Sequence, residues 1–482
     1  MRGWNAEQVA DAAGAELVRA PLAVARGSAR AVARGPARAV VDSRGAGPGD
    51  LFVGVTGARA DGGEFAPDVL AAGAWGVLVT PAHAATAAAA ALLDKSGGAG
   101  AGSVEAGVAG GAILVSDDPV AALGRLARVW RRHLGARVLA VTGSTGKTST
   151  KDLLTAVLAP QLATHANRAN LNTEIGLPLS LLETPVGTEA IVLELAMRGA
   201  GQIAELAAIC EPDVGVVVNV GPVHLERLGS LEAVAAAKGE LLDALAPGAR
   251  AVVPNGETLL EPHLRAELDV VRCGPGGDAR LAGVDPSGRA RIDLRGRTIE
   301  LEVSFRTAHQ LENLVMAVAA ADGVGVRATG RVDVAFSPLR GERVALDGNV
   351  AVVNDCYNAN PMSMRAALDD LVASASGRRV AVLGDMLELG SGAPAYHADV
   401  GRQAAERGVE LLVAVGPLSQ AMVGPYRRTA GPRGVAQAVA DAPAAADWLR
   451  GRLRAGDTVL VKASRGMGLE RVTDRLAAGS PG

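Results

Sequence analysis

Between Arg137 and Leu158 the chain reads RVLAVTGSTGKTSTKDLLTAVL. An apolar run rich in Val and Leu, RVLAVTG, gives way to a glycine turn and then to a helix-like segment. Strand, glycine loop, helix is the order a phosphate-binding loop needs. Glycines let backbone N–H groups approach an anion, and the helix N-terminus adds a positive partial charge. The loop is short. The common pattern is G-x-x-x-x-G-K-[ST], but Val141 stands where its first glycine would be. What remains is G-x-x-G-K-T: Gly143, Ser144, Thr145, Gly146, Lys147 and Thr148, followed by Ser149. Lys147 brings a full charge towards the β/γ-phosphates, and the Thr148 hydroxyl is suited to ligate Mg²⁺.

Outward from the loop, AIVLELA (190–196) and VGVVVNV (214–220) read as buried strands with helix-like segments between them. That alternation predicts a mostly parallel sheet covered on both faces. Ligands of such sheets sit beyond the strand carboxyl ends. Glu194 is therefore placed to give magnesium a hard oxygen. By itself it is equally an ordinary strand-end carboxylate. His224 falls just past the second strand and by default is a loop residue. Lys238, in EAVAAAKGELL, by default is a solvated helical lysine.

Three blocks are expected: 1–118, 119–327 and 328–482, with hinges near 118 and 327. The first holds strand-like DLFVGV and GVLVT around helix-like FAPDVLAAGAW. Its stretch 95–111, KSGGAGAGSVEAGVAGG, predicts a surface loop. The second opens on a helical linker, PVAALGRLARVWRRHL. In the third, VAVVNDC, RRVAVLGD, LLVAVG and TVLVKAS read as strands and the segments between them as helices. This block is Rossmann-like in layout, but no G-x-G-x-x-G follows its first strand, which argues against a dinucleotide site.

The chain has 482 residues and a formal charge of -3, so neither nucleic acid nor an anionic membrane is the expected partner. Three cysteines, Cys210, Cys273 and Cys356, lie far apart with no C-x-x-C spacing, which argues against a disulfide framework or a zinc site. No apolar run approaches the ~20 residues of a membrane span, and the first residues lack a signal-peptide shape. A cytoplasmic protein is expected.

Taken together, these residues resemble the Mur ligase family, ATP-dependent enzymes that build the peptide of bacterial cell-wall precursors. The short G-x-x-G-K-T loop is that family's form. VDSRGAGPGDLFVGVTGARADGGEF (41–65) looks like its uridine-nucleotide segment, with Ser43 and Arg44 as the contacting pair. The family commonly has His after Asp-Gly here, where this chain has Gly63. HANRANLNTEIGLPLSLL resembles the loop that approaches substrate and phosphate, through Asn170, Asn172 and Thr173. The resemblance makes Glu194 and His224 ligands of two magnesium ions. It makes Lys238 a carbamylated lysine whose carboxylate-like anion helps hold the second. Asn313 becomes an adenine contact, Arg340 a nucleotide contact with Arg343 as its understudy, and Asp355 a ribose ligand.

NDCYNANPMSM and LGDMLELG are similar to the members that add D-alanyl-D-alanine to a UDP-N-acetylmuramoyl-tripeptide, and the Asp-Asn-Pro-Arg signature of the tripeptide-forming members is absent. Asn358 and Asn360 are candidates for the dipeptide pocket or, equally, members of a structural Asn-x-Asn-Pro turn. Lys462 and Ser464, in LVKASRGMG, match the family's Lys-Gly-Ser loop, with Ala463 in place of Gly. The resemblance implies an α/β fold of three domains: a UDP-binding domain, a central ATPase domain and a Rossmann-like domain. A monomer is expected. Two alternatives stand: another amide ligase of the same architecture, tripeptide-forming or folylpolyglutamate-type, and a P-loop switch. The lack of an N-K-x-D motif disfavours a GTPase switch.

Overall fold

The computed structural model describes residues 1, 3–19, 35–57, 60–93, 111–168 and 170–478. All of the 95–111 stretch except Gly111 lies outside the described residues. The chain divides into two compact units. One is Met1–Ala140 with Gln161–Ala196 and Gln202–Asp213; the other is Val141–Pro160 with Met197–Gly201 and Val214–Gly482.

The first unit holds a five-stranded sheet in the order Glu16–Arg19, Ala112–Val115, Gly76–Val79, Leu51–Val53, Ala39–Val40. Only the first of these strands is antiparallel to its neighbour. Phe52, Val69, Leu70, Val77 and Ile113 pack its core. The predicted linker is the helix Pro119–Leu134. Asp118 starts it, accepting from the amides of Val120 (3.0 Å) and Ala121 (2.9 Å). Pro119 suits the first turn, and Gly135, at φ 66°, ends the helix. Leu123, Leu126, Ala127 and Trp130 are its buried stripe. This unit also holds the strands Ala190–Glu194 and Thr164–Ala166, which pair in parallel, and the start of Arg137–Thr142, beside the former.

In the second unit, Val214–Val217, Arg250–Pro254 and Asp269–Cys273 run parallel. The sheet continues as an antiparallel meander, Ala279–Val284, Arg289–Leu294 and Arg297–Val303, and ends on Gly330–Val332. The same unit carries a six-stranded sheet in the order Glu342–Leu346, Val350–Asn354, Thr458–Lys462, Arg379–Gly384, Leu411–Val415, Val435–Val439. Every pair in it is parallel except the first. Successive side chains alternate between its faces. Ala381 and Leu383 pack with Met364, Leu368 and Tyr426. Val380 and Val382 pack with Ala445, Leu449 and Val472. Helices thus cover both faces, as the apolar runs predict. Its neighbouring strands Val350–Asn354, Thr458–Lys462 and Arg379–Gly384 bring their carboxyl ends together.

All three cysteines are free and buried. Burial pushes the thiols of Cys210 and Cys273 up to about 12 and that of Cys356 higher still. Such thiols are poor nucleophiles. Among the described residues no helix is long and apolar enough to cross a membrane.

Candidate active site

The glycine loop joins the strand ending at Thr142 to the helix Lys147–Leu158. Gly146 caps that helix at φ 76° with no side-chain cap bond, leaving its amino end suited to an anion. A Cβ on Gly146 would stand 3.0 Å from the Asn313 side-chain oxygen. Only glycine combines that backbone with so close a neighbour. Asn313, buried at 6% exposure, is thereby packed on the loop itself. The Lys147 ammonium donates to the Gly143 carbonyl at 2.8 Å.

A residue missed in the sequence holds the other side of the loop. The Asn219 side-chain oxygen accepts from the amides of Ser144 (3.1 Å) and Thr145 (2.9 Å). The Ser144 hydroxyl donates to the Gly221 carbonyl at 3.0 Å and accepts from the Gly221 amide at 2.8 Å. The signal was present: VVVNVG places an asparagine at a strand end, where ligands gather.

Lys238 lies on the helix Leu231–Asp243. It is 2% exposed, against the solvated position expected by default. No hydrogen bond or ion pair of its ammonium is found among the described residues. Burial first, then the Lys147 charge, drives its pKa well below the usual lysine value. His224 starts the short helix Leu225–Leu228 in the left-handed region, at φ 54°. Its imidazole pKa is also lowered. Burial is the chief cause, opposed by Glu388 and reinforced by the charges of Lys147 and Lys238. Three basic groups thus share one neighbourhood, which suits polyphosphate oxygens.

In the other unit Glu194 is held by two asparagines. Asn167 accepts from the Glu194 amide at 2.9 Å and donates to the Glu194 carbonyl at 3.0 Å. Asn172 donates to the Glu194 carboxylate at 2.9 Å. Asn172 is buried, whereas Asn170 and Thr173 are exposed. Sequence reading picked out Asn172 but not Asn167.

Ser43 and Arg44 form a 3₁₀ turn. With Phe65, Asp68, Val69 and Ala72 they line a recess of about 200 Å³. Arg44 donates to the Asp42 carboxylate at 2.9 and 2.7 Å. Nearby, Asp61 accepts from the Gly63 amide at 3.0 Å and pairs with His83 Nε2 at 3.0 Å. A Cβ at position 63 would lie 2.2 Å from the His83 ring. The His83 ring fills the space beside the glycine that stands where the family commonly has histidine. Gly63→Ala is expected to cost about 1–3 kcal/mol by overpacking. In a His83→Ala background the cost falls below about 1 kcal/mol, because neighbouring sites couple. Urea unfolding of the four proteins measures both.

The residues expected at the third block gather at the strand carboxyl ends. The Lys462 ammonium donates to the Asp355 carboxylate at 2.6 Å and to the Asn358 carbonyl at 2.9 Å. The Ser464 hydroxyl accepts from the Leu387 amide at 2.9 Å and donates to the Ala359 carbonyl at 3.3 Å. Asn358 is exposed. Asn360 caps the helix Pro361–Ser374, accepting from the Ser363 amide at 2.9 Å. Its amide group also donates to the Ser144 carbonyl at 3.3 Å, tying this helix to the glycine loop. Arg340 stacks 4.0 Å over the Tyr357 ring, and Arg343 lies 3.9 Å from Asp370.

An asparagine-braced glycine loop with a buried lysine and a half-buried lysine and histidine beside it is the site of an enzyme that handles polyphosphate. Residues 141–321 match the Mur ligase middle domain and residues 339–465 the Mur ligase glutamate ligase domain. The chain belongs to the Mur ligase family. A UDP-N-acetylmuramoyl-tripeptide--D-alanyl-D-alanine ligase of Mycobacterium bovis is 38% identical over 91% of each chain. The crystal structure of MurF from Acinetobacter baumannii superposes with a TM-score of 0.82 at 26% identity, covering 98% of this chain and 99% of that one. That of MurF ligase from Thermotoga maritima in complex with ADP gives 0.75 at 28% identity, covering 92% and 97%.

Proposed function

We propose that this enzyme joins D-alanyl-D-alanine to a UDP-N-acetylmuramoyl-tripeptide at the expense of ATP, yielding the pentapeptide precursor of peptidoglycan, ADP and phosphate. One observation carries the reading: 38% identity over 91% of the chain to a ligase of that name. In this reading the motif residues divide the work. The Gly143–Ser149 loop takes the phosphates of ATP, with Asn313, Arg340 and Asp355 around the nucleoside. Ser43, Arg44, Asn170, Asn172 and Thr173 serve the UDP-linked acceptor, and Asn358 and Asn360 the incoming dipeptide. The three blocks 1–118, 119–327 and 328–482 correspond to these tasks. ATP, which cells keep in the cytoplasm, places the reaction there, and the working unit is a single chain.

A carboxylate is a poor electrophile, so it must first be activated. The tripeptide carboxylate attacks the γ-phosphorus, the bond to ADP breaks, and an acyl phosphate results. Lys147 and the amino end of its helix meet the charge that grows on the equatorial oxygens. The dipeptide amine then attacks the acyl carbon, loses a proton, and phosphate departs. Positioning and electrostatics do most of the catalysis.

Magnesium is the cation this reading expects with the nucleotide, and the donor types match what it takes. Thr148 and Glu194, each 4% exposed, offer hard oxygens, and His224 offers an imidazole nitrogen. Lys238 fits carbamylation. Burial favours the neutral amine, the form that reacts with CO₂, and the resulting anion would balance the nearby Lys147 charge. Magnesium, when bound, neutralises phosphate charge.

The test is direct. Enzyme, ATP, Mg²⁺, UDP-N-acetylmuramoyl-tripeptide and D-alanyl-D-alanine should give a pentapeptide-bearing nucleotide by mass, with one ADP per product. Diaminopimelate, lysine and glutamate should not replace the dipeptide. Nucleotide hydrolysis at the same rate without acceptor, and no pentapeptide, would overturn the reading.

A further inference from the structure

His224 and Glu388 are two of six non-glycine residues with positive φ among the described residues, at 54° and 64°. They touch each other. His224 Nδ1 pairs with the Glu388 carboxylate, and the Glu226 amide donates to the Glu388 carbonyl at 3.3 Å. Two sparsely populated backbone conformations that meet through a side-chain contact mark a place where structure is held against local preference.

The Glu388 turn is itself fixed from behind. The Leu387 amide donates to Ser464, and the Met386 amide donates at 2.9 Å to Nε2 of His397, which is fully buried. Gly390, at φ 63°, lets the turn lie against the start of the His224 helix, where a Cβ would stand 3.4 Å from the Glu226 backbone. The mechanism above gives Glu388 no task.

We propose that Glu388 is the positioning residue for His224. An ionised carboxylate only accepts hydrogen bonds, so Nδ1 must carry the proton. The imidazole is thereby held as the Nδ1–H tautomer, and the Nε2 lone pair is left for the divalent cation that accompanies the nucleotide. Metal-bound histidines are commonly oriented by such a carboxylate, and losing it typically costs 10–100-fold in metal affinity. Glu388 comes from the loop after Arg379–Gly384, far along the chain from His224. Cation affinity therefore depends on that loop being docked. The inference rests on His224 being a cation ligand.

The test uses the full-length enzyme labelled with ¹⁵N-histidine, with His224→Gln to assign the signal. Long-range ¹H–¹⁵N spectra should show His224 as the Nδ1–H tautomer in the wild type and not in Glu388→Ala. Mn²⁺ titration by electron paramagnetic resonance in the presence of ADP should show affinity about 10–100-fold weaker in Glu388→Ala. Glu388→Gln should recover part of it, since an amide oxygen can still accept. Glu388→Gln also keeps the side chain's size, so it serves if the alanine variant does not fold. The proposal is overturned if the tautomer is unchanged on removing the carboxylate, or if it changes while Mn²⁺ affinity does not. Failure of the wild type to bind Mn²⁺ with ADP would instead count against the ATP-ligase reading, whatever the tautomer.

Discussion

Replacing Lys147 with alanine is expected to lower ligation by about 10³-fold, the scale on which a charge aimed at a developing oxyanion acts in a water-poor site. The fold should survive. The Lys147 ammonium donates to the Gly143 carbonyl within the same loop. The helix it begins is anchored instead by Leu153, Leu154, Val157 and Leu158, all buried. Initial rates of ADP release with both acceptor and dipeptide present, beside far-ultraviolet circular dichroism, separate the two effects. Undiminished ligation would remove Lys147 from the phosphate site. Loss of the helical signal would make it a structural residue.

Lys238→Ala should have a comparable effect on rate, for a different reason. The side chain lies almost wholly buried and close enough to Lys147 for the two charges to repel. An unmodified lysine there attracts phosphate less than a full charge would, because burial favours its neutral form. A carbamate would instead supply an anionic oxygen. The alanine variant leaves a void of roughly that shape, so formate, acetate or propionate should restore part of the ligation rate in a concentration-dependent way. No rescue by any of the three acids, together with an unmodified lysine in crystal density of the wild type, would remove the carbamate from the mechanism.

The parallel strands were readable because each is buried on both faces and therefore continuous in apolar residues. VAVLG at 380–384 and LLVAV at 411–415 are such runs. The meander between Ala279 and Val303 went unread. Its strands alternate exposed and buried residues, as RARIDL and RTIELEV do, and charged residues interrupt the apolar pattern. ERVAL at 342–346 was read only as part of a nucleotide motif; it is also the antiparallel edge strand beside Val350–Asn354.

For the site the pattern is similar. Residues that announce themselves by motif, such as Lys147 and Glu194, could be named from the sequence. The side chains that hold them could not, because they act across chain distance. Asn219 braces Ser144 and Thr145, Asn167 clamps Glu194, His83 meets Asp61, and Glu388 meets His224. None of these partners has a spacing that links it to its target. Asn360 was left open between a pocket residue and a turn residue; its side-chain oxygen is engaged in a helix cap and its amide group in the glycine loop.

The three buried cysteines have a practical consequence. Their thiols resist ionisation at neutral pH, so maleimide dyes should pass them by without any of them being replaced. One cysteine introduced at an outward position such as Val186, 74% exposed, would carry a fluorophore selectively on an otherwise native chain. Conformational change during turnover can then be watched in the working enzyme.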